Sequence, residues 1–194
     1  MVWCMLITLG LTACLNDDND DNGPSLQEMK KAMSKMQGTY SGYMLYSESL
    51  VGIPDTVKNI SWTVDSVITI KDFPVSILAK SFTSIVDSTL LADVKKLPAE
   101  DLTCLVGFYS IVDEGYTMNV IPRALKFTAA TSKQVYDCIV YFMNGDEYSL
   151  GNFNTASSEM VLYLNTYGLQ MGDEEQSDAL FKKTYFKLVS TSKQ

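Results

Sequence analysis

At 194 residues, with 46% hydrophobic and 20% charged side chains, the chain has the makeup of one globular domain able to bury a core, not of a disordered segment. Fifteen basic against 23 acidic residues leave a formal charge of −8 with no basic cluster, so phosphate backbones repel it and nucleic-acid binding is excluded. With no histidine there can be no Ser-His-Asp or Cys-His nucleophile system and no His-ligated zinc, which leaves carboxylate, Lys or Tyr chemistry and oxygen-ligated metals.

Residues 1–13 (MVWCMLITLGLTA) form an apolar run too short to span a bilayer. It has the length of a signal-peptide apolar region and ends in small residues. Leu11, Thr12, Ala13 and Cys14 then give an aliphatic residue, two small ones and a cysteine, which resembles the lipobox of bacterial lipoproteins. That resemblance implies a diacylglycerated Cys14 thiol, cleavage before Cys14 and acylation of the new amine, so that the membrane is the first partner. Each buried CH₂ contributes about 0.8 kcal/mol, and two or more chains make such attachment lasting. No Lys or Arg precedes the apolar run. A basic codon or two upstream of Met1 is therefore expected, and a start mapped at Met1 would contradict this.

Residues 14–24 read as an acidic, flexible tether, because an Asn/Asp run ending in Gly23-Pro24 cannot bury apolar surface. The run resembles the acidic stretch that marks surface export in lipoproteins of the Bacteroides group. This implies the outer membrane, lipid-anchored and surface-exposed, with a periplasm-facing anchor as the alternative. Asp18, Asp20, Asn22 and Gly23 match the first half of an EF-hand calcium loop. The closing bidentate Glu belongs at position 29, which is Met29, and Glu28 falls one residue short. A solvated linker is the expectation.

The remainder, residues 25–194, reads as a single β-rich domain. Ser25 and Glu28 form a capping-box pattern, Leu26, Met29, Met33 and Met36 recur at helical spacing, and Gly38 ends the helix. Such a Met stripe is read as core filler. From Thr39 the period becomes two. Tyr40, Gly42, Met44 and Tyr46 share one face of a strand, and Trp62, Val64, Ile68 and Ile70 share one face of another. Residues 75–82 and 89–96 read as short helices. Further strands are expected over 102–112, 116–121, 125–129, 134–143, 147–152, 160–166 and 184–189. Asn144-Gly145 is the strongest hairpin signal, Asp113-Glu114-Gly115 suggests a longer hairpin loop, and 168–178 reads as an exposed acidic loop. The pattern predicts a mainly β domain, an antiparallel β-sandwich or a barrel, open or closed, of about 8–10 strands, with an N-terminal helix and one or two short helices.

Residues 36–43 (MQGTYSGY), followed by Trp62-Thr63-Val64 and Asp72-Phe73-Pro74-Val75, resemble a family of lipoproteins of unknown function from gut Bacteroides species. The likeness covers about the first third of the mature chain and implies location and fold type, with no functional residues to carry over. A helix followed by a Gly-x-Tyr strand is also similar to the opening of lipocalin-like barrels, without the Trp that family places there.

Three candidate chemistries remain. Cys104 and Cys138 form either a disulfide or two separate buried thiols, and have neither His nor CxxC spacing to activate them. Asp113/Glu114, Asp146/Glu147 and Asp173/Glu174/Glu175 fall in turns, and nothing selects a pair for glycoside hydrolysis. The aromatics are the better lead. Strands 135–142 and 160–167 carry aromatics on both faces, so either both faces are covered or one is an exposed binding patch. Trp62 is expected in the core. The sequence therefore predicts a non-enzymatic binding or accessory module, with no cofactor or metal and with a glycan or protein as ligand. A barrel holding a small apolar molecule, and a carboxylate hydrolase, are the alternatives.

Overall fold

A computed structural model describes residues 23–49, 52–83, 86–145, 149–173 and 181–194. The capping box forms: the Glu28 N–H donates to Ser25 Oγ (3.3 Å) and the Ser25 N–H to Glu28 Oε2 (2.8 Å), starting helix α1 at Leu26–Met36. The face carrying Ala32 and Met36 is buried, with Met33 packed against the core. Leu26, 71% exposed, falls outside the expected stripe.

Ten strands follow: β1 (Gly38–Ser47), β2 (Asp55–Val64), β3 (Ile68–Phe73), β4 (Glu100–Ile111), β5 (Gly115–Pro122), β6 (Leu125–Ala130), β7 (Val135–Phe142), β8 (Leu150–Asn154), β9 (Met160–Met171) and β10 (Tyr185–Lys193). A 3-10 turn at Val75–Ser81 and helix α2 (Ser88–Val94) lie between β3 and β4, matching the two short helices expected there. Strands β1-β2-β3-β4-β5-β8-β9-β10 pair antiparallel in that order, and β10 returns to β1. The choice between sandwich and barrel thus resolves as a closed eight-stranded barrel, which removes the free edges a sandwich would keep. The β6–β7 hairpin stands outside the ring as an annex, joined through β7 to the second half of β9. Helix α2 buries Leu90 and Val94 and holds the annex, where the Ala130 N–H donates to Asp93 Oδ2 (2.8 Å) and the Ser132 N–H to Thr89 Oγ1 (3.1 Å).

Side chains fill the inside of the barrel. Tyr40, Met44, Trp62, Ile70, Leu102 and Phe186 are each under 2% exposed, and every one lies on an inward position of its strand. Tyr40 and Trp62 stack at 5.8 Å with an interplanar angle of 4°, and the Trp62 ring N–H donates to Met160 Sδ at 3.3 Å.

Three expectations are corrected. Trp62, Val64, Ile68 and Ile70 do share the inner face, but as two strands: the chain reverses at residues 65–67, pairing Trp62 with Ile70 and Val64 with Ile68. Asn144-Gly145 joins no hairpin, because β9 lies between β7 and β8 in the sheet. Gly145 has φ +141°, whereas Asn144 is not among the residues with positive φ, so the type I′ turn is absent. Residues 168–171 continue β9 through pairing with residues 138–141 rather than forming a loop; residues 174–180 of that expected loop lie outside the described residues.

Candidate functional site

Strand alternation sends every second residue of the barrel wall outward. On β1 Met44 is buried inward, so Leu45 faces out; on β10 Leu188 and Phe186 point in, so Lys187 and Tyr185 face out; on β9 Leu162 and Leu164 point in, so Tyr163 faces out. The register then aligns them. Leu45 pairs with Lys187 and Lys187 with Tyr163, and the Gly151–Leu162 pair sets Leu150 of β8 beside Tyr163. One turn of the pleat further along, Ser47 pairs with Tyr185 and Tyr185 with Asn165. Ser49, Gly52 and Pro54 of the β1–β2 connection form a rim over this patch, enclosing a groove of about 470 Å³ that Tyr46 and Phe186 also line. The groove is open to solvent, and Tyr163 is 37% exposed in it.

The electrostatics of the groove are simple. Among the described residues none that lines it is acidic, and Lys187 is the one cation. Lys187 Nζ lies 5.4 Å from the centroid of the Tyr163 ring, a cation–π contact. A smaller, polar recess of about 250 Å³ nearby is different in kind. There Lys80 bonds to Asp55 and lies 5.2 Å over Tyr46, and the Asp55 carboxylate, then the Tyr46 hydroxyl, holds the Lys80 ammonium above its ordinary pKa. Its charge is already answered, and it is well solvated, so it contributes little to stability.

The residues singled out from sequence are scattered. Leu11, Thr12, Ala13 and Cys14, and the calcium-like Asp18, Asp20 and Asn22, lie outside the described residues. Asp146, Glu147, Glu174 and Glu175 do so too. Asp113 and Glu114 sit at the tip of the β4–β5 hairpin, where their backbone carbonyls accept from the Thr155 hydroxyl and N–H. Among the described residues no three Cys, Asp or Glu gather as a metal site.

Cys104 lies on β4 inside the barrel and Cys138 on β7 in the annex; both are buried and reduced, so the disulfide alternative is not realised. Burial raises the Cys104 thiol far above its ordinary pKa, and burial with the nearby Asp137 charge pushes Cys138 up to about 11. Since the thiolate is the reactive form, neither is alkylated in the native protein at pH 8, whereas both are labelled once it is unfolded. Peptide mapping after brief iodoacetamide treatment checks this; native-state labelling at the rate of a free thiol would contradict it.

The aromatic excess of strand 160–167 did flag this wall: Tyr163 and Tyr167, 45% exposed, are its outward members. Leu45, Pro54, Leu150, Tyr185 and Lys187 carried no signal of their own, because barrel closure alone makes them neighbours.

Residues 35–171 match a protein-family model described as a domain of unknown function (DUF4840). No match is found among curated proteins or among solved structures.

Proposed function

We propose that this chain, which belongs to the DUF4840 family, is a non-enzymatic binding module whose ligand lies against the outer wall of its barrel. One observation carries the reading: the interior of the barrel is occupied by large buried side chains, while the wall offers an apolar, aromatic-lined groove open to solvent. Concave apolar sites with a few polar groups are the usual form of ligand pockets. The barrel is lipocalin-like in outline, but a ligand seated inside it would have to displace Trp62 and its neighbours. The groove needs no such rearrangement.

In this reading the module works from the outer membrane, held by a lipidated Cys14 and spaced from it by the acidic tether. What supports the anchor is the lipobox Leu11-Thr12-Ala13-Cys14 and the polar stretch after it. Mass spectrometry of the native product should find a chain starting at Cys14 and carrying acyl groups; an unacylated Cys14 removes the anchor.

The binding role is tested separately, with the full chain. Panels of glycans, peptides and small amphiphiles are screened by thermal shift against wild type and a Leu45→Asp/Tyr163→Ala variant. Ligands that raise the wild-type Tm and leave the variant unmoved are expected. Silence across all three panels, or equal shifts in both proteins, defeats the proposal.

A further inference from the structure

Lys187 is the cation that lines the groove itself. Beside the groove, Lys80 is paired with Asp55 and Lys182 with Glu48 at 3.7 Å. Lys187 has no carboxylate partner among the described residues, although the chain as a whole carries −8. Its ammonium rests on the Tyr163 ring, half-buried, at the edge of a groove whose other lining residues are apolar or neutral. A cation in that position keeps its N–H donors for an acceptor, and covering it with a neutral apolar body would leave it desolvated and unanswered.

Resting on the groove reading above, we propose that the ligand is a small amphipathic carboxylate, its apolar body laid along Leu45, Leu150, Tyr163 and Tyr185 and its anionic head set against Lys187 Nζ. Three features select this class. The groove volume of about 470 Å³ suits a small molecule better than a folded partner. Lys187 is a single point charge that one carboxylate answers, whereas a doubly charged phosphate would leave negative charge uncompensated, since no further cation lines the groove among the described residues. With the body of the ligand excluding water, the ion pair gains strength from the lowered local dielectric.

The test compares decanoate with decanol, the same apolar body with and without the charge, by calorimetric titration of the full chain below the aggregation limit of either probe. Decanoate should bind about tenfold more tightly than decanol, and the margin should shrink as salt is added. Lys187→Met should abolish the margin, and Tyr163→Ala should weaken both probes. If both bind wild type equally, or Lys187→Met keeps the margin, the carboxylate assignment is overturned while the groove reading stands. If neither probe binds, or binding survives Leu45→Asp/Tyr163→Ala, the groove fails as the site and this assignment goes with it.

Discussion

Trp62→Ala is expected to lower the free energy of unfolding by about 3–5 kcal/mol, a large share of the roughly 5–15 kcal/mol that holds a domain of this size together. Trp62 is fully buried on the C-terminal half of β2, so truncation removes apolar area and leaves a cavity that flanking strands cannot collapse into without breaking ladder bonds. Two specific contacts go as well: the parallel stack on Tyr40, of a kind contributing about 0.5–1.5 kcal/mol beyond area, and the N–H···S bond to Met160. The damage spreads further, because the Tyr40 hydroxyl donates to the Met36 carbonyl and so ties the last turn of α1 to the barrel. Urea titration followed by far-UV circular dichroism reads the loss. Trp62→Phe, which keeps a ring against Tyr40 but not the N–H, should lose less. A Trp62→Ala loss below about 1 kcal/mol would contradict a filled interior.

The second large effect comes from a single added methyl group. In Gly42→Ala the new Cβ would sit 1.9 Å from the Val189 carbonyl oxygen and 2.9 Å from Ser190 Cα. Both obstacles are backbone of β10, with no flexible side-chain end to move aside. Gly42 also lies where β1 slips register on both sides, between Ser41 and Gly42 against β10 and between Gly42 and Tyr43 against β2. These bulges bend β1 so that it meets β10 and completes the ring. Overpacking in ordinary cores costs about 1–3 kcal/mol; against immovable main chain at the closing seam the loss should be about 3 kcal/mol or more, with little soluble folded protein recovered. Gly107→Ala is the control, since its Cβ would meet nothing within 4 Å. It should fold as well as wild type or slightly better, through a stiffer unfolded chain. Equal urea midpoints for Gly42→Ala and wild type would refute the close approach.

Most of the elements were legible in the sequence, and the failures share a cause. The capping box, the first strand, the short helices and the strands of the second half follow from local pattern. The reversal at 65–67 does not. Val64 and Ile68 are four residues apart, so the in-out alternation has the same phase on both sides of the turn, and a chain that folds back looks like one that runs straight on. Asn144-Gly145 has the local chemistry of a tight hairpin, but β9 inserts between the strands it would have joined, a tertiary outcome that overrides turn preference. Gly168 reads as a breaker and is instead a buried member of β9, opposite Tyr141. The groove was the least visible of all. Leu45, Tyr163 and Lys187 come from distant parts of the chain, and only the pairing of β10 with both β1 and β9 sets them side by side.

That last strand pair gives β9 an unusual duty. Its first half is stitched to β8 and β10 in the ring, and its second half to β7 in the annex, so one unbroken backbone serves as a common beam for two frames. Tyr163 stands just before the handover at Asn165 and Thr166. A pull or tilt applied to the outlying hairpin is therefore carried straight along the main chain to the aromatic floor.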